Sequence, residues 1–278
     1  MTVRQWVADA TLRLAQAGRE DAAHLARLFA EEALPQMGAL LPTLWEKPLP
    51  TGAEERLNGW LARLLAGEPA QYVLGHWNFY GREFACDRRA LIPRADTETL
   101  VEAALQRLPA GPAQVIDVGC GTGCVGLTLA LERPHWAVTL VDISPDALAL
   151  TGENAARLGA NVTLTQADLL AALPTGSWDA IVSNPPYVTA AEYAALDQLV
   201  REHEPQLALV GGPDGLLHLA ALADRAREGL RPGGWLLAEI GWQQGDAVRE
   251  LFAQSLGNAE LIRDIGGNDR VVAARKEP

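Results

Sequence analysis

Apolar positions recur at helical spacing through the first part of the chain and switch to short β-rich runs farther on. From Val3, residues Trp6, Val7, Ala10, Leu14 and Ala17 fall at three- and four-residue steps, and Ala22 to Leu34 repeats the habit. Pro35, Pro42, Pro48 and Pro50 punctuate the next stretch. A third helix is expected after them, with Thr51 as its N-cap and Glu54 completing a capping box. Residues 1–70 thus read as a small helical bundle. Between Tyr72 and Ile92, aromatic and polar residues alternate around Gly81, which predicts a β-hairpin joining two domains over residues 71–96.

From about Gln114 the pattern is that of an α/β domain spanning residues 97–278. Val115–Val118, Val138–Asp142, Val162–Gln166, Ala180–Ser183 and Trp235–Ile240 read as strands. Helical stretches follow most of them: Val125–Glu132, Pro145–Leu158 and Gly215–Leu230. Strand and helix in alternation predict a parallel sheet covered on both faces. The tail differs, because Ala259–Ile265 and Val271–Ala274 flank Gly266-Gly267-Asn268-Asp269 as a hairpin would.

Composition narrows the classes. A chain of 278 residues with 49% apolar and 21% charged residues suits an ordinary globular protein and excludes disordered, collagenous and disulfide-scaffold proteins. No apolar run reaches the ~20 residues of a membrane span, and residues 1–19 lack the apolar core of an export signal. The net charge of −12 opposes tight, sequence-independent binding to nucleic-acid phosphates. Three thiols, Cys86, Cys120 and Cys124, cannot form a disulfide framework and point to a reducing cytoplasm. Cys120 and Cys124 with His135 fall short of a closed four-ligand zinc set, so no metal is expected.

The first chemical signal is the run from Val115 to Gly123, in which an apolar strand ends in three alternate glycines and a helix opens at once. Glycine permits positive φ and close backbone approach, so a ligand can lie against the turn formed by Gly119, Cys120, Gly121, Thr122 and Gly123. Asp142, at the end of the next strand, is placed to accept both hydroxyls of a ribose. Asp117 at the first strand's end would repel a pyrophosphate but suits a sulfonium and its amino group. The glycine spacing also differs from the dinucleotide fingerprint, although Gly126 blurs the contrast.

The second signal is Ser183-Asn184-Pro185-Pro186-Tyr187, directly after the fourth strand. In such a sheet a loop at a strand's carboxyl end points into the ligand crevice. Two prolines give a stiff backbone that offers only carbonyl acceptors. Asn184 adds a side-chain carbonyl, and Tyr187 adds a flat face. Acceptors without competing donors suit a planar –NH2 group.

Together, the Asp-x-Gly-x-Gly-x-Gly run, the acidic strand end and Asn-Pro-Pro-Tyr resemble S-adenosylmethionine-dependent methyltransferases acting on an exocyclic or amide nitrogen. DNA adenine and protein-glutamine methyltransferases share that set. Gly67 to Tyr72, Leu91 to Glu98, Glu204 to Leu209, Gly211 to Leu216 and Glu239-Ile240-Gly241 are similar to segments of the PrmC/HemK family of peptide chain release factor glutamine methyltransferases. Ala95 stands where that family usually has Pro, leaving Asp96 or Thr97 to cap the next helix. The resemblance implies a Rossmann-like, mostly parallel seven-stranded sheet with an antiparallel C-terminal hairpin, and a helical N-terminal domain for substrate recognition.

It also implies S-adenosylmethionine as methyl donor, left as S-adenosylhomocysteine, and the glutamine of the Gly-Gly-Gln motif in class 1 release factors as acceptor. Asn184, Pro185 and Tyr187 would be catalytic and, with Pro186, would bind the substrate amide. Residues 119–123 would face the methionine part together with Asp117 and Asn184, and Asp142 the ribose. Asp168 and Leu169 would flank the adenine; for Asp168 an N-cap role is the other reading. Arg94 reads equally as an interdomain ion pair or a substrate contact, and His203 has no required role. A glutamine of a ribosomal protein is the near alternative. A DNA or RNA adenine methyltransferase would need a basic groove for a flipped base, and no basic insertion is visible.

Overall fold

A computed structural model describes residues 1–34, 45–168, 176–196 and 198–277, and divides into two compact units, Met1–Gly75 and His76–Pro278. The first is helical: α1 (Val3–Gln16), α2 (Ala22–Ala33), α3 (Ala53–Leu65) and the short α4 (Ala70–Leu74). Its core gathers Trp6, Leu14, Phe29, Leu57 and Leu61, the helical-period residues of each stretch. The Trp6 indole donates to Asn58 Oδ1 at 3.0 Å, so the buried ring keeps a partner for its N–H.

One helix start read from sequence is corrected. Thr51 and Glu54 do not form a capping box; Gly52, at φ +82°, occupies the N-cap without a side-chain bond, and α3 begins one residue later than the motif needs. The capping box of this unit is at α1, where Thr2 Oγ1 accepts from the Gln5 amide and Gln5 Oε1 from the Thr2 amide.

The second unit opens with the hairpin β1 (His76–Phe79) and β2 (Arg82–Ala85). It is shorter than the alternation suggests, since residues 70–74 are helical. Tyr80 (φ +50°) and Gly81 (φ +70°) form its two-residue turn, and both central residues have the positive φ that such hairpins favour. The Tyr80 amide donates to Glu98 Oε1 at 2.7 Å, which braces the less permissive residue.

A seven-stranded sheet follows, built from α5 (Glu98–Arg107), β3 (Gln114–Val118), α6 (Cys124–Glu132), β4 (Ala137–Asp142), α7 (Pro145–Leu158), β5 (Thr163–Gln166), β6 (Trp178–Ser183), α8 (Ala190–Ala195), α9 (Gln198–His203), α10 (Leu217–Gly229), β7 (Leu230–Glu239), α11 (Gly245–Leu256), β8 (Ala259–Arg263) and β9 (Asp269–Arg275). The spatial order is β5-β4-β3-β6-β7-β9-β8; the first five run parallel, and β9 and β8 close the sheet antiparallel. Strand β7 starts at Leu230, five residues before its apolar run, because Leu230 pairs with Trp178 across a register shift.

Helices cover both faces, and strand side chains sort by the two-residue period. Val115 packs with α5 and α6, whereas Ile116 and Val118 pack with α10 and α11. In β7, Leu237 lies on the α5 face while Leu236, Ala238 and Ile240 lie on the other. Asp117 and Glu239 therefore fall on the α5/α6 face, just beyond Val115 and Leu237. Among the described residues no helix is long and apolar enough to cross a membrane.

Candidate active site

Strands β3 and β6 are neighbours although other elements separate them in sequence, and Val118 stands opposite Ser183. Ser183 Oγ donates to the Val118 carbonyl at 2.7 Å, tying the two strand ends together. Here the strand order reverses, and a crevice opens at the carboxyl ends. The glycine turn after β3 and the Asn184 loop after β6 consequently leave the sheet side by side. A cavity of about 250 Å³ lies against them.

The glycine turn is fastened to β4. The Gly119 and Cys120 amides both donate to the Val141 carbonyl, at 2.8 and 3.0 Å, and Thr151 Oγ1 donates to the Gly121 carbonyl at 2.8 Å. Gly119, Cys120, Gly121 and Thr122 line the cavity; Gly123, which carries φ +80° at the N-cap of α6, does not. Gly126 has a different task. A Cβ there would meet the Leu140 side chain at 2.8 Å and Asp117 Oδ2 at 2.9 Å, so only glycine lets α6 lie this close to β3 and β4.

Asp142 is nearly buried at the cavity wall, and its carboxylate is held at both ends. Oδ2 accepts the Gly121 amide and Oδ1 the Ser144 amide, each at 2.9 Å. Each oxygen retains a lone pair. Asp117, 2% exposed, accepts the Gly126 amide at 2.8 Å. Burial pushes its carboxyl up to about 7, against the pull of that amide and with a smaller push from Asp142. Asp168 also lines the cavity, whereas Leu169 lies outside the described residues. Burial favours the protonated thiols: it raises Cys120 well above the ordinary range and pushes Cys86 and Cys124 up to about 12. Among the described residues no group of three or more His, Cys, Asp or Glu could hold a metal ion.

Of the Asn184–Tyr187 loop, Asn184 and Pro186 reach the cavity wall, while Pro185 and Tyr187 do not line it. Tyr187 turns inward, its hydroxyl donating to Glu239 Oε1 at 3.3 Å. The loop is backed by the Gly-Gly-Pro-Asp-Gly run: the Val188 amide donates to the Leu209 carbonyl, and the Gly211 amide returns to the Val188 carbonyl at 2.8 Å. A Cβ on Gly211 would fall 2.5 Å from the Pro186 carbonyl oxygen, and one on Gly215 would strike that of Tyr187.

Two groups near the cavity have partners that the sequence did not give. Arg94 lines the cavity and forms an ion pair at 2.5 Å with Glu204, whose side chain is buried and also accepts the Ile92 amide. Both residues belong to the same unit, so this is no interdomain bridge. Thr97 occupies the N-cap position of α5 but makes no side-chain cap hydrogen bond there. Asp96 pairs with Arg270 at 3.0 Å, and Thr97 Oγ1 accepts from Asn184 Nδ2 at 3.2 Å. The pairings of Thr97 with Asn184 and of Tyr187 with Glu239 had no sequence signal, because long stretches of chain separate them.

Comparison with known proteins agrees with this geometry. The family model for the methyltransferase small domain matches residues 95–221, and that for the PrmC N-terminal domain matches residues 5–75. A methyltransferase from Pyrococcus furiosus has the same fold, with a TM-score of 0.56 at 17% identity over 80% of this chain and 100% of that one. Release factor glutamine methyltransferase of Cereibacter sphaeroides is 45% identical over 95% of this chain and 94% of its own. That of Salmonella typhimurium is 40% identical over the full length of both. The chain belongs to the release factor glutamine methyltransferase family.

Proposed function

We propose that the chain transfers a methyl group from S-adenosylmethionine to the side-chain amide nitrogen of the glutamine in the Gly-Gly-Gln motif of class 1 release factors. The observation that carries this reading is the Asn184 carboxamide at the wall of the same cavity as the glycine turn and Asp142. The residues present fit the cofactor. Asp142 has a free lone pair on each oriented oxygen for a ribose diol, the glycine turn allows close approach, and Asp117 and Asp142 supply acidic groups for a cation. When bound, the cofactor supplies an electrophilic methyl carbon on a sulfonium.

An amide nitrogen is a poor nucleophile because its lone pair is delocalised into the carbonyl, so alignment matters more than a covalent intermediate. Asn184 Oδ1 accepts one amide hydrogen at the cavity wall, and the Pro185 carbonyl, next along the backbone though off that wall, is proposed as the acceptor of the other. They fix the nitrogen, favour its loss of planarity and stabilise the positive charge that develops on it. Pro186 stiffens the loop at the cavity wall, and Tyr187, turned inward behind it, braces the loop through Glu239. Its hydroxyl is committed to Glu239 and held protonated by burial, so it is not a base. Water takes the amide proton after transfer. The helical unit recognises the folded release factor, and the reaction belongs to the cytoplasm, in keeping with three free thiols.

Incubation with S-adenosylmethionine and full-length release factor, followed by peptide mass mapping, tests the reading. A one-methyl gain confined to the Gly-Gly-Gln peptide is expected. Methylation elsewhere, or none by folded protein, refutes it.

A further inference from the structure

One face of α7 backs the cavity and the glycine turn together. Ala147, Thr151 and Asn154 are spaced by four and three residues along the helix, so they share that face, and Ser144 precedes them at the N-cap. Ser144 and Ala147 line the cavity, and the Ser144 amide orients Asp142 Oδ1. Thr151 and Asn154 are fully buried against the turn. Thr151 Oγ1 donates to the Gly121 carbonyl at 2.8 Å, and Asn154 Nδ2 donates to the Thr122 carbonyl at 2.9 Å. One helix thus holds two consecutive carbonyls of the turn. The approach is close, since a Cβ on Gly123 would lie 2.8 Å from Thr151 Cγ2. Asn154 also accepts the Ala85 amide at 2.7 Å and donates to the Ala85 carbonyl at 3.1 Å, which fixes the end of β2 to the same place.

A trans peptide points its C=O and its N–H in opposite directions. Holding the Gly121 carbonyl on Thr151 therefore turns the Thr122 N–H away from α7. The neighbouring amides are spent inside the protein: those of Gly119 and Cys120 on Val141, that of Gly121 on Asp142, and that of Gly123 on Cys120. The Thr122 amide makes no hydrogen bond among the described residues, and Thr122 lines the cavity. Gly121, at φ +57°, offers little resistance to a peptide turning over, so a side chain has to hold it. Turned over, the peptide would present a carbonyl where the amide stood.

We infer that Thr151 and Asn154 are positioning residues for the cofactor. They lock the glycine turn so that the Thr122 amide is offered to an acceptor on the methionine part of S-adenosylmethionine, with the Gly121 amide aligned on Asp142. The inference rests on the assignment of the glycine turn and Asp142 to the cofactor.

The test is calorimetric titration of the full-length protein with S-adenosylmethionine and S-adenosylhomocysteine, with urea unfolding of the unliganded protein alongside. Thr151→Val keeps the shape and removes the donor. Affinity should fall roughly 5- to 30-fold, about the worth of one buried hydrogen bond. The factor should be the same for both ligands, which share the groups that meet the turn. Thr151→Ser restores the hydroxyl and should recover most of the affinity. Asn154→Asp keeps an acceptor for the Ala85 amide but, ionised, has no hydrogen for Thr122, and should weaken both ligands as well. A purely structural role would lower the urea midpoint and leave the affinity of the folded protein unchanged. Parental affinity in folded Thr151→Val or Asn154→Asp protein, or a Thr151→Ser protein that binds as weakly as the valine variant, would overturn the inference. Should one buried variant fail to fold, the other decides. Asp142→Ala separates the inference from the reading beneath it. Full affinity there overturns the cofactor site itself, whereas weakened binding there beside parental affinity in Thr151→Val overturns the positioning role alone.

Discussion

Removing the Asp142 carboxylate should separate cofactor binding from folding. Its two oxygens are aligned by the Gly121 and Ser144 amides at 2.9 Å each, and the residue is 9% exposed at the cavity wall. Two hydrogen bonds from ribose hydroxyls to an oriented carboxylate are charge-assisted. Water entering the opened pocket repays part of their loss. Asp142→Ala should therefore weaken S-adenosylmethionine binding by roughly 1.5–3 kcal/mol, about 10- to 150-fold. The same change strips two turn amides of their acceptor and should lower stability by about 1–2 kcal/mol. Asp142→Asn is the sharper probe. A carboxamide has one acceptor, so it can serve one of the two amides but must point its own N–H at the other. It should lose affinity as well, despite its size. Calorimetric titration measures binding, and urea unfolding measures the fold. Unchanged affinity in a folded Asp142→Ala protein would refute the ribose assignment.

Gly126→Ala should destabilise the fold by about 1–3 kcal/mol in urea unfolding, because its Cβ meets Leu140 and Asp117 below 3 Å; an unaffected midpoint would mean that α6 yields freely. Asp117 and Glu239, both pushed up to about 7 by burial, hold protons in the folded state that the unfolded chain releases near 4. Their stabilisation is complete below about pH 4 and is lost as pH rises through about 7. Stability of Glu239→Gln should then decline less steeply over that window than the parental curve, and an equal slope would contradict the shift. Intact release factor should be methylated far more efficiently than the isolated Gly-Gly-Gln peptide, since a helical unit of this size offers remote contacts to order the loop. Equal kcat/KM on the peptide would leave that unit without the proposed role.

The layers of the catalytic unit were legible because each strand carries its own apolar run and each helix its own period. The pairing of the two chemical loops was legible too, since a parallel sheet sends both to its carboxyl edge. Where sequence reasoning failed, a local signal competed with another. Thr51 and Glu54 have the spacing of a cap, yet Gly52 takes the left-handed residue before α3. Thr97 stands at the cap position of α5, yet its hydroxyl makes no cap bond and instead accepts from Asn184. That choice depends on α5 packing beside the end of β6, a proximity between residues 87 apart in sequence that no local pattern encodes. Arg94 was legible as a partnered cation, but its partner Glu204 was not, since 110 residues separate them.

Single-turnover methyl transfer by Asn184→Ala, at saturating S-adenosylmethionine, tests most directly whether the Asn-Pro-Pro-Tyr loop holds the reacting amide. Asn184 is half-buried at a loop on the cavity wall, so its truncation opens no core cavity and the fold should persist. Loss of one preorganised acceptor for developing charge should slow the chemical step by about 10²–10³-fold, with at most a modest loss of cofactor affinity. A folded Asn184→Ala protein that transfers methyl at the parental rate would contradict the account.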